Sequence, residues 1–409
     1  MASLNPGRLM MARTVEHLSQ RQLSELIEHT QHAHIPAAKI SRIENGLVEC
    51  SATDLNRIAA ALDYPIEFFN MMSEDLNPLD LTYRRTAKTR ISEVNAIVGE
   101  YQMLDAAVNK VTNKLGMAHR PSWIDVLAPR QSGPLDILDI DRIAQRTREQ
   151  LRLESKGAVP NMTRALERSG ILVVPMRSMG ESSEYKQTSE GVTAPALRKG
   201  SPVIGYIRRQ VTGDRMRFTK AHELGHLVLH THHRGLTKKQ MEDEAHTFAG
   251  AILMPRKDAE NTISESTMLS EFVAIKAGWG ISISALVMRA SALGLISADR
   301  KRSLQMQISA RGWRKTEPVT VDVEYPLLFK QMLGKAYGHI DSPTEVTVNS
   351  FDAVKELGVP FRYLDFWTDG LKAESEQVGV YERRFPDDSD TQMMVMPNDC
   401  PTPQDVSMK

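Results

Sequence analysis

The sequence predicts a multidomain α+β protein, with an all-helical unit first, a small α+β unit in the middle and a mostly helical C-terminal region. Three observations carry this expectation. The 409 residues exceed what one hydrophobic core usually serves. Apolar residues recur at helical spacing through residues 8–70, broken by abrupt turns. From residue 136 onward, helical stretches alternate with short β-branched runs.

Residues 1–73 form the first unit: Ser19-Gln20 opens a helix carrying Leu23, Leu26 and Ile27, Asn45-Gly46 closes one carrying Ile40 and Ile43, and a helix over 55–62 stops before Pro65. Residues 74–135 read as a polar helical connector with a basic cluster at Arg84, Arg85, Lys88 and Arg90, punctuated at its far end by Pro121, Pro129 and Pro134. The α+β unit spans 136–260. It begins with helices over 140–153 and 162–168 and has β-type runs at 171–174 and 203–207, flanking a polar loop over 177–200. A helix from about Asp214 to past Leu229 follows, and then one opened by the capping box Thr237/Gln240 and ended at Met254 by Pro255. A helical extension over 261–320 leads to a small, mostly helical unit over 321–386. There Ser342-Pro343-Thr344-Glu345 reads as a capping box with proline at N1, opening a helix that ends near Leu357-Gly358. The tail, 387–409, has the Asp-, Pro-, Ser- and Met-rich composition of a disordered segment.

Composition excludes several classes. Lys plus Arg and Asp plus Glu both number 51, so the chain is no polycation and any nucleic-acid contact must be local. The two cysteines, Cys50 and Cys400, are far apart, which excludes a disulfide framework and a thiolate zinc site. No apolar run is long enough to span a membrane and Met1 to Gly7 lacks a signal-peptide layout, so the expectation is a soluble, cytoplasmic protein with no membrane partner. No phosphate loop, dinucleotide fingerprint or Ser-His-Asp pattern occurs.

The chemistry concentrates at His222-Glu223-Leu224-Gly225-His226. Residues four apart share a helix face, so two imidazoles can grip one ion, most naturally Zn2+, while Glu223 sits about 100 degrees round and serves as general base. Six of the twelve histidines (222, 226, 230, 232, 233 and 246) fall within this part of the chain. A third ligand must come from elsewhere. His230 lies about 6 Å further along the axis than His226 and reads as a packing residue. His232 would need a glycine where Leu229 stands. On the next helix, the apolar stripe Met241, Ala245, Phe248 and Ile252 places Glu242 about 60 degrees from its centre and Glu244 about 100 degrees. Glu242 is therefore preferred, with Glu244 in reserve and His246 third.

The run Arg217-Phe218-Thr219-Lys220-Ala221-His222-Glu223-Leu224-Gly225-His226-Leu227-Val228-Leu229-His230, with Glu242-x-x-Ala245-x-x-Phe248-Ala249 and Leu253-Met254-Pro255, resembles the ImmA/IrrE family of metallo-endopeptidases. The resemblance is strong over about 136–260. It implies a small zincin-like fold, Glu242 as third zinc ligand, latent or regulated endopeptidase activity of the gluzincin type, and a DNA-binding repressor as substrate under stress. It departs from the wider thermolysin-like pattern at His246, where an acidic residue orienting a ligand is expected.

In residues 8–70, Ser19-Gln20, the stretch Lys39-Ile40-Ser41-Arg42-Ile43-Glu44-Asn45-Gly46 and Ile58-Ala59-Ala60-Ala61-Leu62 resemble the lambda-repressor-like XRE family of helix-turn-helix domains. That resemblance implies operator DNA as a partner, read through Gln20, Lys39, Ser41, Arg42 and Asn45, and possession of a dimer partner. The turn from His29 to Ile35 is longer than usual, and residues 1–70 carry six basic against eight acidic side chains, a weak electrostatic footprint. Two functions follow as expectations. One is a transcriptional regulator whose peptidase, covered by the 177–200 loop as a lid, cuts a repressor. The other is a non-proteolytic regulator or antitoxin-like protein using the zincin fold as sensor or scaffold.

Overall fold

Side-chain caps fix where many of the helices begin in the computed structural model, which describes residues 4–71, 81–83, 91–117, 119–178, 191–195, 200–207, 212–232 and 234–373. In the N-terminal unit Asn5 caps α1 (Pro6–Val15), the Ser19/Gln22 capping box opens α2 (Gln20–Gln31), and Ser51 caps α4 (Ala52–Leu62). Between them lies α3 (Ala37–Glu44), and α5 (Ile66–Asn70) follows. Their apolar faces meet in a core of Leu9, Leu23, Ile27, Ile40, Ile43, Ile58 and Phe68. Arg13 forks onto both oxygens of Glu44, at 2.6 and 2.9 Å, and ties α1 to the end of α3. Residues 32–36 join α2 to α3, starting from His32 in the left-handed region and closed by the Ser24 hydroxyl donating to the Ile35 carbonyl.

The segment read as a connector carries β1 (Thr82–Tyr83), α6 (Ile91–Lys114) and α7 (Ser122–Leu127). α6 is a core helix: Ile97, Tyr101, Leu104, Val108 and Val111 are buried, and it packs against α1. The basic cluster at 84–90 and the 387–409 tail lie outside the described residues.

The middle unit comprises α8 (Ile137–Gln150), α9 (Met162–Arg168), β2 (Leu172–Pro175), β3 (Gly191–Thr193), β4 (Val203–Tyr206), α10 (Gly213–Leu229) and α11 (Lys238–Leu253). The sheet order is β1-β3-β4-β2. β2 and β4 run parallel, with Leu172 opposite Val203, and β3 is antiparallel to β4. β1 reaches back across the sequence to pair antiparallel with β3, Thr82 opposite Thr193. The polar loop expected over 177–200 thus contains a strand; its residues 179–190 and 196–199, on which the lid reading rests, lie outside the described residues.

Four helices follow: α12 (Arg256–Thr262), α13 (Leu269–Trp279), α14 (Ile283–Ala292) and α15 (Ala298–Ala310). An extended strap over 316–327 then runs back along the middle unit. Glu317 anchors its start, accepting from Lys276 Nζ at 2.7 Å and from the Ile283 amide at 2.9 Å. Glu324 anchors its end, accepting from Arg217 Nε at 2.9 Å and from the Met162 and Thr163 amides at 3.1 and 2.9 Å. The strap passes so close to the start of α10 that a Cβ on Gly213 would stand 2.2 Å from the Asp322 carbonyl oxygen.

The last unit holds α16 (Leu328–Tyr337), β5 (Gly338–Ile340), β6 (Val346–Val348), α17 (Ser350–Leu357), α18 (Phe361–Thr368) and β7 (Lys372–Ala373). Here the expected capping box is corrected. Ser342-Pro343-Thr344-Glu345 is the turn of the β5–β6 hairpin, in which the Glu345 amide donates to the Ser342 carbonyl, and α17 is capped by Asn349. Ser, Pro and Thr serve turns as well as caps, and only the flanking strand pairs decide which. The helix does end at Gly358, in the left-handed region. Two ties bind this unit to the rest: the half-buried Arg362 donates to Glu16 at 2.8 Å and to Asp63 at 2.6 Å, and the buried Glu100 accepts from Trp367 Nε1 and from the Arg177 and Ser178 amides. No single helix among the described residues is long and apolar enough to cross a membrane.

Candidate metal centre

α10 is built to hold histidines against a core. Ala221, Leu224, Leu227 and Val228 are fully buried, so the same helix must present His222, Glu223 and His226 towards the protein, where only 14% of the His222 and 1% of the His226 side chain is exposed. α11 crosses it closely at small residues: a Cβ on Gly225 would lie 3.2 Å from the Ala245 Cα and 3.1 Å from the Phe248 ring. One turn before Ala245 this crossing places Glu242 opposite the histidine pair.

The result is a triangle of donors. His222 Nε2 and His226 Nε2 are 3.2 Å apart, Glu242 Oε2 is 3.3 Å from the first, and Glu242 Oε1 is 3.5 Å from the second. Ligand atoms about 2.05 Å from a tetrahedral zinc ion stand about 3.3 Å from one another, so the residues fit that metal. Among the described residues these are the His, Cys, Asp and Glu side chains that come together as a group of three. The other candidates point elsewhere. Glu244 turns away to Arg234 and His230, His246 stacks beside Phe218 with ring centres 4.9 Å apart, and His232 Nε2 is buried beyond the end of α10. His233 lies outside the described residues.

Electrostatics suit the assignment. Burial alone would raise the Glu242 pKa, but hydrogen bonds from His222 and His226 outweigh it and hold the carboxyl well below the usual carboxylate range, ready as an anionic ligand. Burial lowers the His226 pKa against the pull of Glu242, favouring the neutral ring that a ligand requires. Glu223 is the opposite case: burial first, and then the Glu242 charge, push its pKa well above the carboxylate range. Its Oε2 has no hydrogen-bond partner among the described residues. Gly191 on β3 makes room for it, since a Cβ there would be 2.6 Å from Glu223 Oε1. A cleft of about 790 Å³ opens on His222, Glu223 and Glu242, walled in part by Phe218, Met288 and Trp313.

Three features of this centre escaped the sequence: Gly191, the strap that lines the cleft, and the joining of His230 and Glu244 behind His226. His230 did carry a signal, since i+4 from His226 is the same helix face.

The residues expected to read DNA are distributed differently. Gln20 Nε2 donates to Glu44 Oε2 at 2.7 Å, Lys39 Nζ pairs with Asp54 at 2.7 Å, and Asn45 Nδ2 donates to the Ser41 carbonyl. Arg42 and Asn45 are exposed and Ser41 is half-buried. No curated protein matches the chain. Residues 166–291, from within α9 to α14 and including all three donors and Glu223, match the model of the Peptidase_M78 family, described as the IrrE N-terminal-like domain, a match that points to a metallopeptidase and implies a bound metal.

Proposed function

We propose that the chain is a zinc-dependent endopeptidase joined to a DNA-binding helix-turn-helix unit, and that it cuts a repressor-type protein. One observation carries the enzymatic part: a donor triangle with tetrahedral spacing beside a buried carboxylate, Glu223, whose Oε2 has no partner among the described residues, at the floor of an open cleft. A zinc ion held by His222, His226 and Glu242 would supply a Lewis acid for a peptide carbonyl and would lower the pKa of water. Glu223 would take the proton that water loses and return it to the leaving nitrogen, a role suited to a carboxylate whose Oε2 is buried without a partner among the described residues, beside the donors. The 1% exposure of the His226 side chain fixes its ring, and Glu242 keeps its charge in reach of both histidines. Metal analysis with hydrolysis of a labelled casein tests this. Wild type should hold about one zinc and cleave, Glu223→Gln should hold zinc and not cleave, and a wild type that binds no zinc would end the reading.

The regulatory part is supported by α2 and α3, two short helices joined by residues 32–36, with Arg42 and Asn45 exposed at the end of the second. Footprinting of the full-length protein tests it, because a protein that protects no sequence is no operator reader. If Glu223→Gln regulates its promoter as wild type does, the zincin fold serves as sensor or scaffold and proteolysis is not the mechanism.

A further inference from the structure

We propose that His230 is a positioning residue for His226, an imidazole relay inserted between a metal ligand and its carboxylate, with Glu244 and Arg234 as the anchor. The inference rests on the metal reading above. His226 Nε2 faces the donor triangle and must keep its lone pair there, so the ring proton sits on Nδ1. That Nδ1 lies 2.9 Å from His230 Nδ1. Two bare nitrogens would repel and two protonated ones would clash, so His230 Nδ1 accepts and its own proton sits on Nε2. His230 Nε2 is 3.2 Å from Glu244 Oε2, which completes the direction of the relay.

The far end is held by donors that cannot reverse. Arg234 forks onto Glu244, NH1 to Oε2 at 2.9 Å and NH2 to Oε1 at 3.2 Å, and the Leu135 amide donates to Oε1 at 2.7 Å. An arginine offers only donors, so Glu244 is left one role towards His230, that of acceptor. Arg234 is itself fixed by the carbonyls of Gln131, Gly133 and Leu229. His230, Arg234 and Glu244 are all buried, so water does not compete for these positions. Ligand histidines commonly have a carboxylate or carbonyl directly behind them; here the helix supplies a second imidazole four residues on, and the carboxylate stands one ring further back.

The test uses the full chain with Zn2+ as the probe, in competition with a chromophoric chelator. His230→Leu should weaken zinc binding about 10- to 100-fold, the usual cost of losing a group that orients a ligand. His230→Gln, whose carbonyl can accept from His226 while its amide donates to Glu244, should recover most of that loss. Equal zinc affinity in wild type and folded His230→Leu overturns the proposal, whereas a wild type that binds no zinc overturns the metal reading beneath it. Nitrogen-15 NMR of the wild-type histidines needs no variant: the zinc-loaded protein should show His226 protonated at Nδ1 and His230 at Nε2, and a His230 proton on Nδ1 also overturns the relay.

Discussion

The candidate metal centre and the proposed DNA-reading end of α3 would represent two ways a functional surface is made. At the centre the side chains are arranged for one another: histidines face a carboxylate, and a second ring and Glu244 stand behind. Across α2 and α3 three of the five expected DNA readers already have partners in the protein, Gln20 with Glu44, Lys39 with Asp54 and Asn45 with the Ser41 carbonyl, while the Arg42 and Asn45 side chains are exposed. A buried site displays its chemistry as internal geometry. A recognition face shows only what the fold leaves unused, because its geometry is completed by the partner.

The largest effect that would sharpen this contrast is on catalysis. Glu223→Gln should slow hydrolysis of a labelled casein about 10²- to 10⁴-fold, the usual contribution of a general base, while zinc content measured by atomic absorption stays unchanged. Retained hydrolysis would mean that the carboxylate is not the base.

Next comes a separation of two neighbouring glutamates. Glu242 is 31% exposed and belongs to the donor triangle, so Glu242→Ala should lower zinc affinity and leave thermal stability of the zinc-free protein nearly unchanged. Glu244 is 4% exposed and holds a buried arginine, so Glu244→Ala should cost about 3–5 kcal/mol of stability, read by denaturant unfolding. The same stability loss in both variants would erase the distinction.

At the junction between the N-terminal unit and α18, Glu16 is predicted to govern acid sensitivity. Burial raises its pKa, but Arg362, Arg177 and Tyr363 outweigh burial and hold it below the ordinary value of 4.5. A carboxyl depressed in the folded state binds fewer protons than in the unfolded chain, so its stabilisation is present above pH 4.5 and disappears as pH falls through the folded value. Glu16→Gln should therefore flatten that acid limb, and an unaltered limb in pH-dependent melting would exclude the junction as its cause.

The smallest effect is at α3. Arg42→Ala should weaken DNA binding and reduce the salt slope by about 0.9, as expected for one phosphate contact. Lys39→Ala should do less, because its ammonium is engaged by Asp54. The reverse order in a salt titration would move the reading face towards Asp54.

Where local geometry determines structure, the sequence was informative. The His-Glu-x-x-His spacing and the Thr237/Gln240 box place α10 and α11, and helix phase separates Glu242 from Glu244, which in the fold point to opposite partners. What remained hidden depends on distant pairing. β3 is three residues whose strand character comes from β4 on one side and β1 on the other, and the polar surroundings of Gly191 gave no periodicity to read. The burial of α6 depends on helices at both ends of the chain, and Ser342 to Glu345 satisfies the local rules of a cap and of a turn equally well.

The strap over 316–327 makes the middle unit depend on sequence beyond it. Arg217 and Lys220 lie on α10, yet Arg217 takes its carboxylate from Glu324, and Lys220 Nζ donates to the Glu324 carbonyl at 3.0 Å and to Thr163. Glu324 lies downstream of residue 291, where the family match ends. A chain ending at residue 291 would carry the whole donor triangle and Glu223 but would lack the carboxylate that pairs with Arg217, with Glu167 left as the anion near Lys220. A fragment cut at the family boundary should therefore be less stable at the start of α10 than the full chain, a difference that limited proteolysis would read.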